Sequence, residues 1–148
     1  MSDASNLGDK PFKPEVLEAF SYVIVTAVEG GFYTKEDYAE WTEYAHADGP
    51  FGFQAAVTIY PNKDGKFDTD EKPDPIRVTA DWFAKRILTE VLNSMSIYPA
   101  KPDGPLKGKL LTKAVLLLVG DEDAAGDVDV VDAGALLQVA VYGDVIYG

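Results

Sequence analysis

The sequence predicts a single α+β domain in which three to four helices cover a small, mostly antiparallel sheet. Its 148 residues are the usual length of one domain, and 47% of them are hydrophobic, which is enough for a core without disulfides. Helical and strand-like segments alternate without the regular rhythm of a βαβ protein. Residues 1–12 are expected to form a flexible lead-in and residues 13–148 the folded domain.

Hydrophobic residues that recur at helical spacing predict four helices. The first begins at Pro14, whose missing N–H is harmless in a first turn, and ends at Glu29. Gly30 and Gly31 follow, and they can adopt the left-handed backbone that often ends a helix. The other helices are predicted from a Thr79 cap to about Met95, from Lys109 to Val119, and from about Asp129 to Tyr142. The stripes expected to face the core are Phe83, Ile87, Leu88, Val91 and Met95 in the second helix, and Val130, Ala133, Leu137, Ala140 and Val141 in the last.

Segments of strand-forming residues bounded by turn residues predict the sheet. Gln54–Tyr60 and Ile76–Val78 are predicted strands, and Val145–Tyr147 is predicted as a short closing strand. Thr34–Ala45 fits two structures. One alternative is a helix whose acidic residues lie on a separate face. The other is the first arm of a hairpin, because Tyr and Trp favour strands.

The net charge of −12 limits the classes of partner. Residues 1–50 carry ten acidic and three basic residues, a net of −7. Such a surface repels phosphate backbones and anionic lipid, so direct binding to nucleic acid or membrane is not expected. A partner protein with a basic surface is favoured. The sequence has no apolar stretch of membrane-spanning length and no basic, then apolar, secretory signal at its start, which indicates a cytoplasmic protein.

Catalytic, metal and cofactor sites are not predicted. There is no cysteine, and His46, the sole histidine, is expected to be exposed in a loop and supports no catalytic triad. The stretch 62–71 has the acids of a calcium loop but not their spacing, so a solvated hairpin loop is favoured. In the acidic cluster 121–132, a helix cap at Asp127 or Asp129 is favoured over a divalent cation.

The first fifty residues also hold the candidate binding segment. Aromatic residues at positions 32, 33, 38, 41 and 44 are expected either to join the core or to stack on a base or a peptide. Acidic residues stand between them, and at helical spacing their like charges would not help folding. We therefore predict a partner-binding segment that comprises Glu36, Asp37, Glu40, Trp41, Glu43 and Tyr44.

Three segments in a fixed order carry a resemblance to a known family. They are Thr26–Gly31, then Ile76–Asp81 with 84–86, and finally Asp129–Ala133 with Leu137–Gly148. Together they resemble a family of small proteins encoded by bacteriophages of actinobacteria. That family places a Tyr-Trp pair soon after its double glycine, whereas here an acidic stretch separates Tyr33 from Trp41. The family has no assigned activity, so the resemblance supplies no functional residues.

The resemblance implies a phage protein that acts by binding and not as an enzyme. The first expectation is an accessory protein in the host cytoplasm that binds and blocks a host factor, such as a component of antiviral defence. It would imitate the charge of nucleic acid or dock on a basic face, or else capture a nucleotide signal among its aromatic residues. The alternative is a structural protein of the virion, such as a capsid decoration or head–tail component, that associates with itself.

Overall fold

The computed structural model describes residues 12–30, 39–50, 52–61, 74–95 and 106–143, and at residues 39 and 40 it describes the backbone alone. These residues form four helices and a three-stranded antiparallel sheet of order β1-β2-β3, which confirms the predicted α+β fold. In chain order the elements are α1 (Pro14–Glu29), β1 (Ala39–Gly49), β2 (Gly52–Pro61), β3 (Ile76–Thr79), α2 (Ala80–Met95), α3 (Gly108–Leu118) and α4 (Val130–Tyr142).

The hydrophobic core lies between one face of the sheet and the helices. Helix α1 is central, because it packs on β2, α2 and α4. Phe20 of α1 and Phe83 of α2 meet edge to face at 5.1 Å between ring centroids. Val57 and Ile59 alternate along β2 with less buried residues, as expected for a strand with one face on the core. The buried face of α1 is thus what positions the sheet.

The helix boundaries agree closely with the sequence prediction. Pro14 opens α1, and the Thr79 hydroxyl accepts a hydrogen bond from the Trp82 amide at 3.1 Å, which caps α2 as predicted. Helix α3 begins and ends one residue earlier than predicted. Asp129 caps α4 in a reciprocal capping box with Asp132, which confirms the capping interpretation of that acidic cluster.

Three details of the predicted helices are wrong. Of the two glycines predicted to end α1, Gly30 has a φ of −79° and is not left-handed, and Gly31 lies outside the described residues. A side chain at Gly30 would instead meet the Thr26 carbonyl at 2.5 Å and Val130 at 2.6 Å, so close packing accounts for glycine at this position. Val130 is 45% exposed because it lies in the first turn of α4, and Met95 is 66% exposed because it ends α2 beyond the core.

The ambiguous segment is a strand wherever the structure describes it. From Ala39 to Gly49 it pairs with β2 as the first arm of a hairpin, so the helical alternative is wrong there. Several sequence predictions lie outside the described residues. They are the start of this segment at 34–38, the calcium-like stretch 62–71, the closing strand Val145–Tyr147 and residues 1–11 of the lead-in. Phe12, the last residue of the predicted lead-in, is partly buried against the core.

Candidate functional site

A β-bulge in β1 organises the exposed edge of the sheet. Between the paired residues Thr42 and Ala45, β1 advances by three residues while β2 advances by two. Successive side chains of a strand point to opposite faces, so Trp41 and Tyr44, three positions apart, would otherwise lie on opposite faces. The extra residue restores them to the same face, and Glu43 takes up the distortion with a φ of 51°.

Arg77 of β3 holds this bulge from across the sheet. Its Nη1 donates to the backbone carbonyl of Glu43 at 2.8 Å and to the hydroxyl of Thr58, on the intervening strand, at 2.9 Å. The Thr58 hydroxyl in turn lies 3.4 Å from the Glu43 carboxylate. A positive φ is unfavourable for glutamate, and this clamp offsets part of that cost.

The bulge aligns an unbroken series of aromatic rings, which we call the aromatic ridge: Trp41, Tyr44, His46, Phe53 and Tyr22. Adjacent ring centroids along this order are 5.8, 5.4, 5.6 and 4.7 Å apart. The last pair is stacked and the first is edge to face. Trp41 is 38% exposed and Tyr22 is 43% exposed, so the two ends of the ridge remain accessible to solvent.

Two carboxylates of α1 lie against the aromatic ridge. The Tyr44 hydroxyl donates to Oε2 of Glu29 at 2.5 Å, and Nε2 of His46 lies 3.7 Å from the same oxygen. Burial, followed by the hydrogen bond and negative charge of Glu29, raises the pKa of Tyr44 well above its ordinary value. The phenol therefore stays protonated at neutral pH and keeps its hydrogen bond to the Glu29 carboxylate beside the rings.

Glu18 supplies the second carboxylate, at the turn of the hairpin. Its Oε2 accepts a hydrogen bond from the Phe53 amide at 2.8 Å. Gly52 has a φ of 113°, a backbone conformation that strains any other residue, and a side chain there would also meet the Glu18 carboxylate. Glycine thus allows the turn that brings the Phe53 amide to Glu18.

The structure brings together only part of the predicted binding segment. Trp41 and Tyr44 belong to the aromatic ridge, and Glu43 lies at the bulge beside them. Glu40 lies in β1 with its side chain outside the described part, and Glu36 and Asp37 lie outside the described residues altogether. The predicted pattern of acids along one helical face does not exist from position 39 onward, because that part is a strand.

The sequence interpretation missed most of the ridge. His46 is exposed as predicted, but it lies in β1 instead of a loop. The sequence pattern predicts no site at Tyr22, Glu29 or Phe53. Alternation of His46 with Tyr44 is the available signal for a strand face. The contacts between α1 and the hairpin join residues 15 to 35 positions apart, so they leave no local pattern.

The C-terminal acidic residues have structural partners. The Asp121 carboxylate accepts a hydrogen bond from the Asp123 amide at 2.9 Å. Asp132 completes the α4 capping box and also pairs with Lys113 of α3. Within the described ranges, no group of three or more His, Asp or Glu side chains is arranged to hold a metal ion.

Comparison with known proteins adds no assignment. No protein family, no curated protein and no solved structure matches the chain. Within the described helices, none is long and apolar enough to cross a membrane. The aromatic ridge and its carboxylates are therefore the basis for a functional proposal.

Proposed function

We propose that the protein is a non-enzymatic bacteriophage accessory protein that binds and blocks a host protein through its aromatic ridge. The observation that carries this proposal is the unbroken contact of five rings at the sheet edge, with the Glu29 carboxylate against them. The phage context is supported by the segment resemblance at Thr26–Gly31, at Ile76–Asp81 with 84–86, and at Asp129–Ala133 with Leu137–Gly148. The host cytoplasm is the proposed place of action.

The chemistry of the aromatic ridge favours a cationic partner. Aromatic faces attract Lys and Arg by about 0.5–1 kcal/mol per exposed contact, so a row of rings gathers several such contacts. The carboxylates of Glu29, Glu18 and Asp48 lie beside the rings or on the same strand. Tyr and Trp are also the residues that most often dominate the energetics of protein interfaces.

The charge of the whole protein acts in the same direction. A net charge of −12 steers a basic protein surface toward the ridge and speeds association at low salt. It imitates the sign of nucleic acid, which supports the charge-mimicry form of the proposal. Capture of a nucleotide signal is less favoured at this site, because phosphates would lie close to Glu29 and Glu18.

A second candidate function is a virion component that associates with itself. Among the described strands, β1 is paired on one side only, with β2, and edge strands of this kind can add a strand from another copy. The bulge at Glu43 opposes this by interrupting the regular edge. Mass spectrometry of purified virions distinguishes the candidates, because only the virion component is recovered at stoichiometric copy number.

The proposal is tested by affinity capture from an infected actinobacterial host. Immobilised wild-type protein and the ridge variant Trp41→Ala are compared by quantitative mass spectrometry at low and high salt. The control is Val131→Ala, because Val131 is 77% exposed on α4, away from the ridge. Far-ultraviolet circular dichroism verifies that each variant remains folded.

The expected result is a host protein with a basic surface that wild type and the Val131 variant retain equally. The Trp41 variant should retain about tenfold less of it, which corresponds to one or two lost cation–π contacts. Retention should also fall steeply with salt, because exposed charges are screened beyond about 8 Å at physiological ionic strength. Equal capture by all three proteins would overturn the proposal.

A further inference from the structure

A cavity of about 450 Å³ adjoins the aromatic ridge. It lies between α1, the β1–β2 hairpin and the start of α2, and His46 belongs to both the ridge and the cavity wall. A volume of this order is typical of sites that hold a small ligand or a large side chain. The cavity is thus placed to receive a group from any partner that contacts the ridge.

The cavity wall has the chemistry of a site for an alkyl cation. Five alanines from β1, β2 and the first residue of α2 supply small apolar surface. Asp48 on β1 and Asp81 on α2 contribute carboxylates, and the described wall contains no Lys or Arg. An aliphatic stem that ends in a positive charge matches both features, whereas an anion would face two carboxylates.

Ser21 of α1 gives a second, independent indication of a ligand. It is part of the cavity wall, its side chain is completely buried, and its Oγ has no hydrogen-bond partner among the described residues. A buried hydroxyl without a partner is unfavourable, and a serine in a helix usually bonds back to a carbonyl one turn earlier. The Oγ is covered in the present rotamer, so a rotation of the Ser21 side chain toward the cavity would let an N–H donor there supply the missing bond.

One cation of the chain already contacts this site from outside. Lys85 of α2 pairs with Asp81 at 3.0 Å, and the two side chains are 41% and 46% exposed. Such exposed pairs between neighbouring helical turns are weak and exchange readily. Asp81 can therefore turn to a cation inside the cavity at little cost.

We propose that this cavity receives a long basic side chain, arginine or lysine, from the partner that docks on the aromatic ridge. The inference rests on the proposed function and adds the chemical group that the partner inserts. The stem packs on the alanines, and the charged end meets Asp48 and Asp81. The Ser21 hydroxyl turns toward the cavity and accepts a hydrogen bond from one of its N–H donors.

The test is an NMR titration of the ¹⁵N-labelled full chain with two capped tripeptides, acetyl-Gly-Arg-Gly-amide and acetyl-Gly-citrulline-Gly-amide. Citrulline has nearly the same shape as arginine but no charge, so the comparison isolates the cation. The variant Asp48→Asn/Asp81→Asn removes both carboxylates of the cavity. The variant Asp74→Asn/Glu122→Gln removes the same charge from exposed positions outside the cavity wall.

The arginine peptide is expected to shift the amide signals of Ser21, Asp48 and Asp81. We expect the citrulline peptide to bind the wild-type protein at least about tenfold more weakly, and the Asp48/Asp81 variant to bind the arginine peptide more weakly by the same factor. The Asp74/Glu122 variant should bind like wild type. The inference is overturned if these amides do not shift, or if citrulline or the cavity variant binds equally well. Shifts confined to the signals of Trp41 and Tyr44 would overturn it while leaving the proposed function intact, since that is tested separately by the Trp41 variant.

Discussion

The clamp between Arg77 and the β1 bulge offers a direct test of how the aromatic ridge is built. Replacing Arg77 by methionine keeps much of the stem but removes the donors to the Glu43 carbonyl at 2.8 Å and to Thr58 at 2.9 Å. A hydrogen bond from a charged donor contributes about 1.5–3 kcal/mol, and less where solvent competes, as at this exposed site. We therefore expect Arg77→Met to lower the free energy of unfolding by about 1 kcal/mol.

The larger effect is expected on the ridge itself. Glu43 has a φ of 51°, a conformation that costs a non-glycine residue about 1–2 kcal/mol, so loss of the clamp favours relaxation of the bulge. A one-residue change of register exchanges the faces of a strand, and it would separate Trp41 from Tyr44. Their ring centroids are 5.8 Å apart, close enough for nuclear Overhauser contacts between the rings.

Urea unfolding and NMR of the two aromatic rings are the assays for this prediction. Lys85→Met is the matched control, because it removes one positive charge from an exposed ion pair elsewhere on the chain. Arg77→Met should weaken the Trp41–Tyr44 ring contacts, and Lys85→Met should preserve them. Unchanged ring contacts together with an unchanged urea midpoint in Arg77→Met would refute the role of the clamp.

Four further predictions follow from the described contacts. Gly30→Ala should destabilise by about 1–3 kcal/mol through its clash with Val130, whereas Gly126→Ala, with nothing within 4 Å, should change stability by less than about 0.5 kcal/mol in the same urea assay. Leu137→Ala should cost about 2–5 kcal/mol because its side chain is fully buried, and an unchanged midpoint would contradict this. The pKa of Tyr44 is higher in the folded than in the unfolded chain, so the unfolded chain loses this proton first as pH rises. The free energy of unfolding should therefore fall as pH rises above the ordinary tyrosine pKa. Tyr44→Phe should lessen that fall in unfolding curves measured across alkaline pH. Chelation by EDTA should leave the melting temperature unchanged, since the described residues offer no metal-binding group, and a large decrease would contradict it.

Local patterns in the sequence were sufficient for the helices and for the fold class. Pro14, the Thr79 cap and the Asp129 cap act within one turn of the chain, so their residue types alone indicate where helices begin. The prediction is wrong at Gly30, where the backbone is not left-handed and a side chain would meet both the Thr26 carbonyl of α1 and Val130 of α4. A glycine kept for close packing has the same sequence signature as a glycine kept for backbone freedom.

The candidate site was less predictable, because its residues meet through long-range contacts. Trp41, Glu43 and Tyr44 were identified from their aromatic and acidic character, but the face they share depends on a bulge held by Arg77 from β3. The hydrogen bond from Tyr44 to Glu29 joins residues fifteen positions apart on different elements. Periodicity in one segment contains no information about either contact.

Photocrosslinking in infected host cells tests whether the aromatic ridge is the surface that binds a basic host protein. The photoreactive residue benzoylphenylalanine replaces Trp41 in one variant and the exposed Val131 of α4 in the control. After irradiation, we expect a crosslinked adduct with one basic host protein from the Trp41 position and none with that protein from position 131. Absence of an adduct at Trp41, or the same adduct from both positions, would contradict this expectation.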